Sequence, residues 1–266
     1  MPDKASLIQM LLSIFLVSQS AIPISRAHAD SLPPYPGTSD VSPHTICGED
    51  DLQHVSEFES NEFFTAEWVA HLKTSVGALY DEGRKRHFCS GTLISEDLFL
   101  TASHCVTPDS ASDWQPDAVS FQYELGEDGE VLPVSRYKVL DIVENNRNLD
   151  YAILKLDRFP GVEWGVTPVN LELPLILAPI AIIQHPKGEP KQVDTGNIRG
   201  FGWLRKRIRY GNLDTLGGTS GSGILDATGA LIGVHTNGGC RARGGANFGT
   251  PLFITKSKIL EDLAKQ

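Results

Sequence analysis

Between residues 75 and 236, short apolar runs recur at close intervals between stretches that hold turn residues: SVGALY, FCSGTLIS, LFLTASH, AVSFQY, YKVLDIV, YAILKL, LILAPIAII and GALIGVHT. The runs are rich in Val, Ile, Leu and Phe, and their rhythm predicts an all-β protein, a sandwich or a barrel. Helical patterning is confined to ESNEFFTAEWVAHLKT (residues 59–74) and to the C-terminal SKILEDLAKQ (257–266), where Ser257 stands as an N-cap ahead of good helix formers. No internal repeat or low-complexity tract interrupts this pattern.

The N-terminal region does not belong to it. Residues 1–29 hold an apolar core, LIQMLLSIFLV, and end in Ala27-His28-Ala29, which predicts a signal peptide. Lys4 is offset by Asp3, so an uncleaved anchor is the alternative, but the run is short for a bilayer. Residues 30–46 are rich in Pro, Ser and Asp and read as a linker or short propeptide, leaving 47–266 as one functional unit. The net charge of −10 argues against nucleic acid and against stable membrane association.

Four cysteines behind an export signal predict two disulfides, a secreted chain and an oxidising compartment. Of the three possible pairings, Cys89 with Cys105 is favoured because the two flank runs that read as consecutive strands of a hairpin; Cys47 then pairs with Cys240. No CxxC spacing and no ordered calcium loop occur and the histidines are scattered, so neither a metal nor another cofactor is expected.

Three segments carry the candidate chemistry. FCSGTLISEDLFLTASHCV places His104 after a strand and directly before Cys105. NNRNLDYAILKL places Asp150 at the head of an apolar strand, where the bland alternative is a strand-capping aspartate. LDTLGGTSGSGIL sets Ser220 among glycines that free the backbone to aim the N–H groups of Gly218 and Ser220 at one point. A flexible Gly/Ser linker would not be followed at once by ILDATGALIGVHT, and Ser222, the rival hydroxyl, already faces the departing strand. Nucleophile, base, orienting carboxylate and paired amide donors are the parts that acyl transfer by a serine requires.

TASHC, DYAIL and GTSGSG, in the chain order His, Asp, Ser, resemble the chymotrypsin-fold serine peptidases over roughly residues 76–260. The resemblance implies two six-stranded antiparallel β-barrels with the active site between them, a C-terminal helix, and His104, Asp150 and Ser220 as the triad. Animal trypsins carry an Asp just before the nucleophile to pair with a freed N-terminal amine; Thr219 stands there, which speaks against that mode of activation. DTxGGxSGS, HTNGG and NFGTPLFIT resemble the bacterial glutamyl endopeptidases, and ICGEDD their mature N-terminal segment. That likeness implies that His235, with Thr236 beside it, receives a substrate Glu (or Asp) side chain. Asp214, six residues before the nucleophile, occupies the offset of the carboxylate that selects Arg or Lys in trypsin-like enzymes, so that specificity is the alternative. A catalytically silent binding module is the other.

The expected partners are protein or peptide substrates, bound by a monomer. Arg205, Lys206, Arg207 and Arg209 read as a solvated strand face, His44, His54, His71, His87 and His185 as structural or exposed, and QHPKGEPKQ as a surface turn.

Overall fold

The computed structural model describes residues 45–107, 116–202, 204, 206–241 and 244–266. The predicted signal peptide, residues 30–44 of the linker, and Arg205 lie outside the described residues.

The chain enters through β1 (Gln53–His54) and α1 (Ala66–Leu72), then builds a closed antiparallel barrel from β2 (Val76–Asp81), β3 (Arg86–Leu93), β4 (Leu98–Thr101), β5 (Ala118–Phe121), β6 (Ser135–Asn146) and β7 (Tyr151–Leu156). The spatial order is β2-β3-β4-β7-β6-β5, closed by β5 against β2. After α2 (Pro160–Trp164), a second set follows: β8 (Pro179–Gln184), β9 (Gln192–Phe201), β10 (Ile208–Tyr210), β11 (Gly223–Asp226), β12 (Leu231–Asn237), the short pair β13 (Cys240–Arg241) and β14 (Gly244–Gly245), and β15 (Asn247–Pro251). Order β9-β10-β15-β12-β11-β8, with β8 returning to β9, makes the second six-stranded barrel; β1 adds to β9 from outside. The chain ends in α3 (Lys258–Leu263), capped by the Ser257 side chain.

Both faces of several strands are buried, which is why their sequences read as continuous apolar runs rather than alternating ones. In β8, Ile180 and Ile182 fill the second barrel, whereas Ala181 and Ile183 face the core that the first barrel dominates. Ile224 and Leu225 of β11 divide in the same way. Fully burying a side chain of this kind contributes about 1.5–3 kcal/mol, so the apolar layer between the barrels fixes how they meet.

The early helix is shorter than its sequence suggests. Asn61 Oδ1 accepts from the backbone of Phe63 and Phe64, and Ser60 Oγ accepts from Ala66 N. These side chains capture amides that a helix from residue 59 would need, so α1 waits for its Thr65 cap. A second correction concerns QHPKGEPKQ, which is no surface turn: His185, Pro186, Gly188 and Lys191 are buried. Lys191 Nζ donates to the Lys73 carbonyl at 2.6 Å and faces Glu124 at 3.3 Å; burial pushes this ammonium down to about 8.

Candidate active site

Strand pairing brings the histidine and the aspartate together. Thr101 at the end of β4 lies opposite Ala152 of β7, and just beyond them the chain makes a single 3₁₀ turn, Ser103–Cys105, while Asp150 precedes β7. Asp150 sits in the left-handed region at φ 54°, a conformation that Asp tolerates better than most residues. Its Oδ2 is 2.8 Å from His104 Nδ1, and its Oδ1 accepts from the His104 backbone N–H at 3.0 Å. Burial pushes the Asp150 carboxyl up, but the bonds from His104 outweigh it and hold the group below its ordinary value. With Nδ1 given to the carboxylate, Nε2 is the ring nitrogen left for other chemistry. Ser103 Oγ, bonded to Asn145 Oδ1 at 2.5 Å, braces the turn. So does the Cys89–Cys105 disulfide; closing so short a loop contributes about 3 kcal/mol in the chain-entropy account.

The loop of Ser220 is built differently, from backbone. The Gly217 carbonyl accepts from Lys187 N, the Gly218 carbonyl from Ser90 Oγ at 2.9 Å, the Thr219 carbonyl from Ser222 N at 3.0 Å, and the Ser220 carbonyl from Ser90 N at 2.9 Å. In a trans peptide the N–H points opposite to the C=O. Holding the Gly217 and Thr219 carbonyls therefore turns the N–H groups of Gly218 and Ser220 away from them, and neither amide has a protein acceptor among the described residues. Gly218 and Gly221 have φ of 96° and 88°. A Cβ on Gly221 would collide with Thr101 Oγ1 and the Ser90 carbonyl and stand 2.9 Å from Ala102 N, so absence of a side chain there lets the loop close on the strand end that leads to His104. Cys105 Sγ lies 3.7 Å from the Ser220 carbonyl. The neighbours of His104 and of Ser220 are thus in contact across the two barrels.

Thr219 sits in a neutral network: its hydroxyl donates to Gln184 Oε1 and accepts from Leu216 N, and Gln184 Nε2 donates to the Asp214 carbonyl at 2.9 Å. His235, on β12, is bound to the same loop, its N–H to Ser222 O at 2.8 Å and its carbonyl to Gly221 N at 2.9 Å. The residue is 3% exposed and its ring Nδ1 meets the Tyr210 hydroxyl; no protein group among the described residues takes its Nε2. Burial, aided by nearby His104, pushes this imidazole down to about 3. Thr236 beside it is buried. Asp214 is elsewhere engaged: Oδ1 accepts from Cys47 N at 2.5 Å and Oδ2 from Asp51 N at 3.1 Å. Its carboxylate holds the segment after Thr45, which the Cys47–Cys240 disulfide also ties down. Arg207 and Arg209 lie over the Phe248 ring on an exposed strand face.

The sulfurs of Cys89 and Cys105 lie with a His104 nitrogen inside 4.8 Å, but they are bonded to each other and offer no thiolate to a metal. The site residues that sequence reading missed are Ser90, Gln184, Lys187 and Tyr210. Their only local signals were a hydroxyl next to Cys89 and a tyrosine in IRY, neither of which names a long-range partner.

A family model described as a trypsin-like peptidase domain matches residues 89–234. Among curated proteins, Hypodermin-A of Hypoderma lineatum is 32% identical over 123 residues, 43% of this chain and 47% of that one. Coagulation factor IX of Oryctolagus cuniculus is 29% identical over 93 residues, 33% of this chain and 32% of that one. The chain thus spans about half or less of the length of these relatives. Among solved structures, a Glu endopeptidase superposes with a TM-score of 0.61 at 20% identity, covering 83% of this chain and all of that one. A serine endoprotease from Yersinia pestis gives 0.55 at 20% identity, covering 79% of this chain and 69% of that one. Human heparin binding protein gives 0.54 at 18% identity, covering 69% and 88%. The two-barrel fold is common to all of these structures. The family model covers more than half of the chain and spans His104, Asp150 and Ser220, so this chain belongs to the trypsin-like peptidases.

Proposed function

We propose that the protein is a secreted serine endopeptidase that hydrolyses peptide bonds through an acyl-enzyme, with preference for Glu (or Asp) before the scissile bond. Ser220 Oγ attacks the carbonyl carbon, His104 Nε2 takes its proton and returns it to the leaving amine, and Asp150 holds the imidazole in the required tautomer. The Gly218 and Ser220 amides receive the oxyanion. The observation that carries this reading is the loop in which every carbonyl from 217 to 220 is bonded and those two N–H groups are left free. Such donors need no reorganisation when charge develops, which makes them the largest single contribution in acyl transfer.

The specificity rests on the side chains near the loop. A buried neutral His235 whose Nδ1 is taken by the Tyr210 hydroxyl has Nε2–H left to donate to a carboxyl oxygen, with the Thr236 hydroxyl alongside. Asp214, whose two oxygens already serve Cys47 and Asp51, supports the Glu reading over the Arg or Lys alternative. Two disulfides suit an oxidising compartment, and the leader of residues 1–29 supports export.

The test is covalent labelling by an aryl phosphonate together with cleavage of a peptide panel differing only before the scissile bond. Labelling lost in Ser220→Ala and kept in Ser222→Ala, with cleavage after Glu, is the expected result. Absence of labelling in the wild type would make the chain a silent binding module, and cleavage after Arg alone would reverse the specificity.

A further inference from the structure

We infer that the Ser90 hydroxyl is a positioning residue for hydrolysis, contributed by the first barrel to lock the oxyanion-binding loop of the second. The inference rests on the peptidase reading but not on its specificity.

Ser90 is fully buried on β3, and its hydroxyl and backbone N–H both reach the other barrel. The hydroxyl donates to the Gly218 carbonyl at 2.9 Å and accepts from His185 N at 2.9 Å, while the backbone N–H donates to the Ser220 carbonyl at 2.9 Å. Its own carbonyl accepts from Thr101 Oγ1 at 2.7 Å, on the strand end that leads to His104. One residue therefore joins the peptide after Gly218, the peptide after Ser220, the approach to His104 and the turn that starts at His185.

The hydroxyl matters because of what it restrains. Gly218 has no side chain and a φ of 96°, so its neighbouring peptides turn at little cost unless hydrogen bonds hold them. Lys187 N holds the peptide on its N-terminal side, and Lys187 belongs to the same turn that His185 N anchors to Ser90 Oγ. The hydroxyl thus holds the peptide on the C-terminal side of Gly218 directly and the turn that carries Lys187 at its His185 end. Removing it leaves two buried backbone groups, Gly218 O and His185 N, without this partner, and the peptide after Gly218 can rotate to re-pair its carbonyl, which loosens Gly218 and with it the aim of the Gly218 N–H. The amides held in this way are engaged only as charge develops on the oxyanion, so the loss falls on the transition state.

The experiment compares kcat and KM of wild type and Ser90→Ala on one efficiently cleaved peptide, with Tm recorded for each. Ser90→Ala is expected to lower kcat by about tenfold to a hundredfold, less than loss of a whole donor, with KM within about twofold. The inhibition constant of a peptide boronate, whose tetrahedral adduct occupies the same amides, is expected to rise by the same factor. Ser90→Thr, which restores a hydroxyl, is expected to recover most of the kcat. Ser90→Gly, which keeps the backbone bond to Ser220, stands in if the alanine variant does not fold. A kcat within twofold of wild type, a loss carried by KM, or unfolding of both variants overturns the inference. A wild type without turnover overturns the peptidase reading as well, whereas turnover that survives Ser90→Ala overturns only the role of Ser90.

Discussion

The two halves of the candidate site are held in opposite ways. The His104–Asp150 corner is a side-chain arrangement at the rim of the first barrel, with the imidazole 46% exposed and the carboxylate 26% exposed. The Ser220 loop is a backbone arrangement packed between the barrels, every carbonyl bonded and glycines at the two positions of positive φ. The difference follows from the work proposed for each. A group that takes up and releases a proton needs water access and one fixed neighbour, whereas donors that stabilise a developing charge must already be in place and dry.

The sharpest test of this contrast is to damage each half without unfolding the other. Asp150→Asn keeps a residue that tolerates the left-handed backbone but removes the carboxylate that fixes Nδ1; kcat should fall by about 10⁴-fold with little change in Tm. Gly221→Ala should act through stability instead. The Cβ cannot fit against Thr101, Ser90 and Ala102, so the variant should lose about 3 kcal/mol or more by thermal or urea unfolding, with activity falling alongside. A Gly221→Ala protein of wild-type stability would mean the loop is not packed as described.

Next in size is the pocket. Tyr210→Phe removes the hydroxyl that meets His235 Nδ1 and leaves a buried ring free to change tautomer. Discrimination between Glu and Gln substrates should fall by about tenfold, mostly through KM, the scale of one lost hydrogen bond to a charged group. Unchanged discrimination would separate Tyr210 from recognition.

A test that reads stability rather than turnover lies in its pH dependence. His87 and His235 are pushed down from 6.5 to about 3 by burial, and fully buried His185 is lowered as well. Their folded values lie below the unfolded one, so the unfolded chain binds more protons between about 3 and 6.5, and the stability these rings contribute is lost as pH falls through that window. Asp194, raised to about 7 by burial, acts in the opposite sense. The informative quantity is therefore the difference between wild type and His87→Phe, which keeps the stack on Tyr123. Between pH 7 and pH 5 the wild type should lose about 2 kcal/mol more than the variant, a few degrees in Tm.

The sequence alone carried the strand rhythm, the C-terminal helix, and the local settings of His104 and Ser220, because apolar runs, capping and glycine-rich turns are short-range signals. It also pointed to the two-barrel fold through motif order. It could not tell that His185, Pro186, Gly188 and Lys191 are buried, since the turn is polar by composition and is covered by the Ser220 loop, His87 and Tyr123, all distant in sequence. Nor could it separate the two uses of Asp214. Its offset from Ser220 fits an Arg pocket, and only the tertiary structure reveals that Cys47 and Asp51, more than 160 positions away, take its carboxylate. Ser90 and Tyr210 were silent for the same reason. A hydrogen bond's partner is decided by which strands close into which barrel, and that closure is a property of the whole chain rather than of any segment.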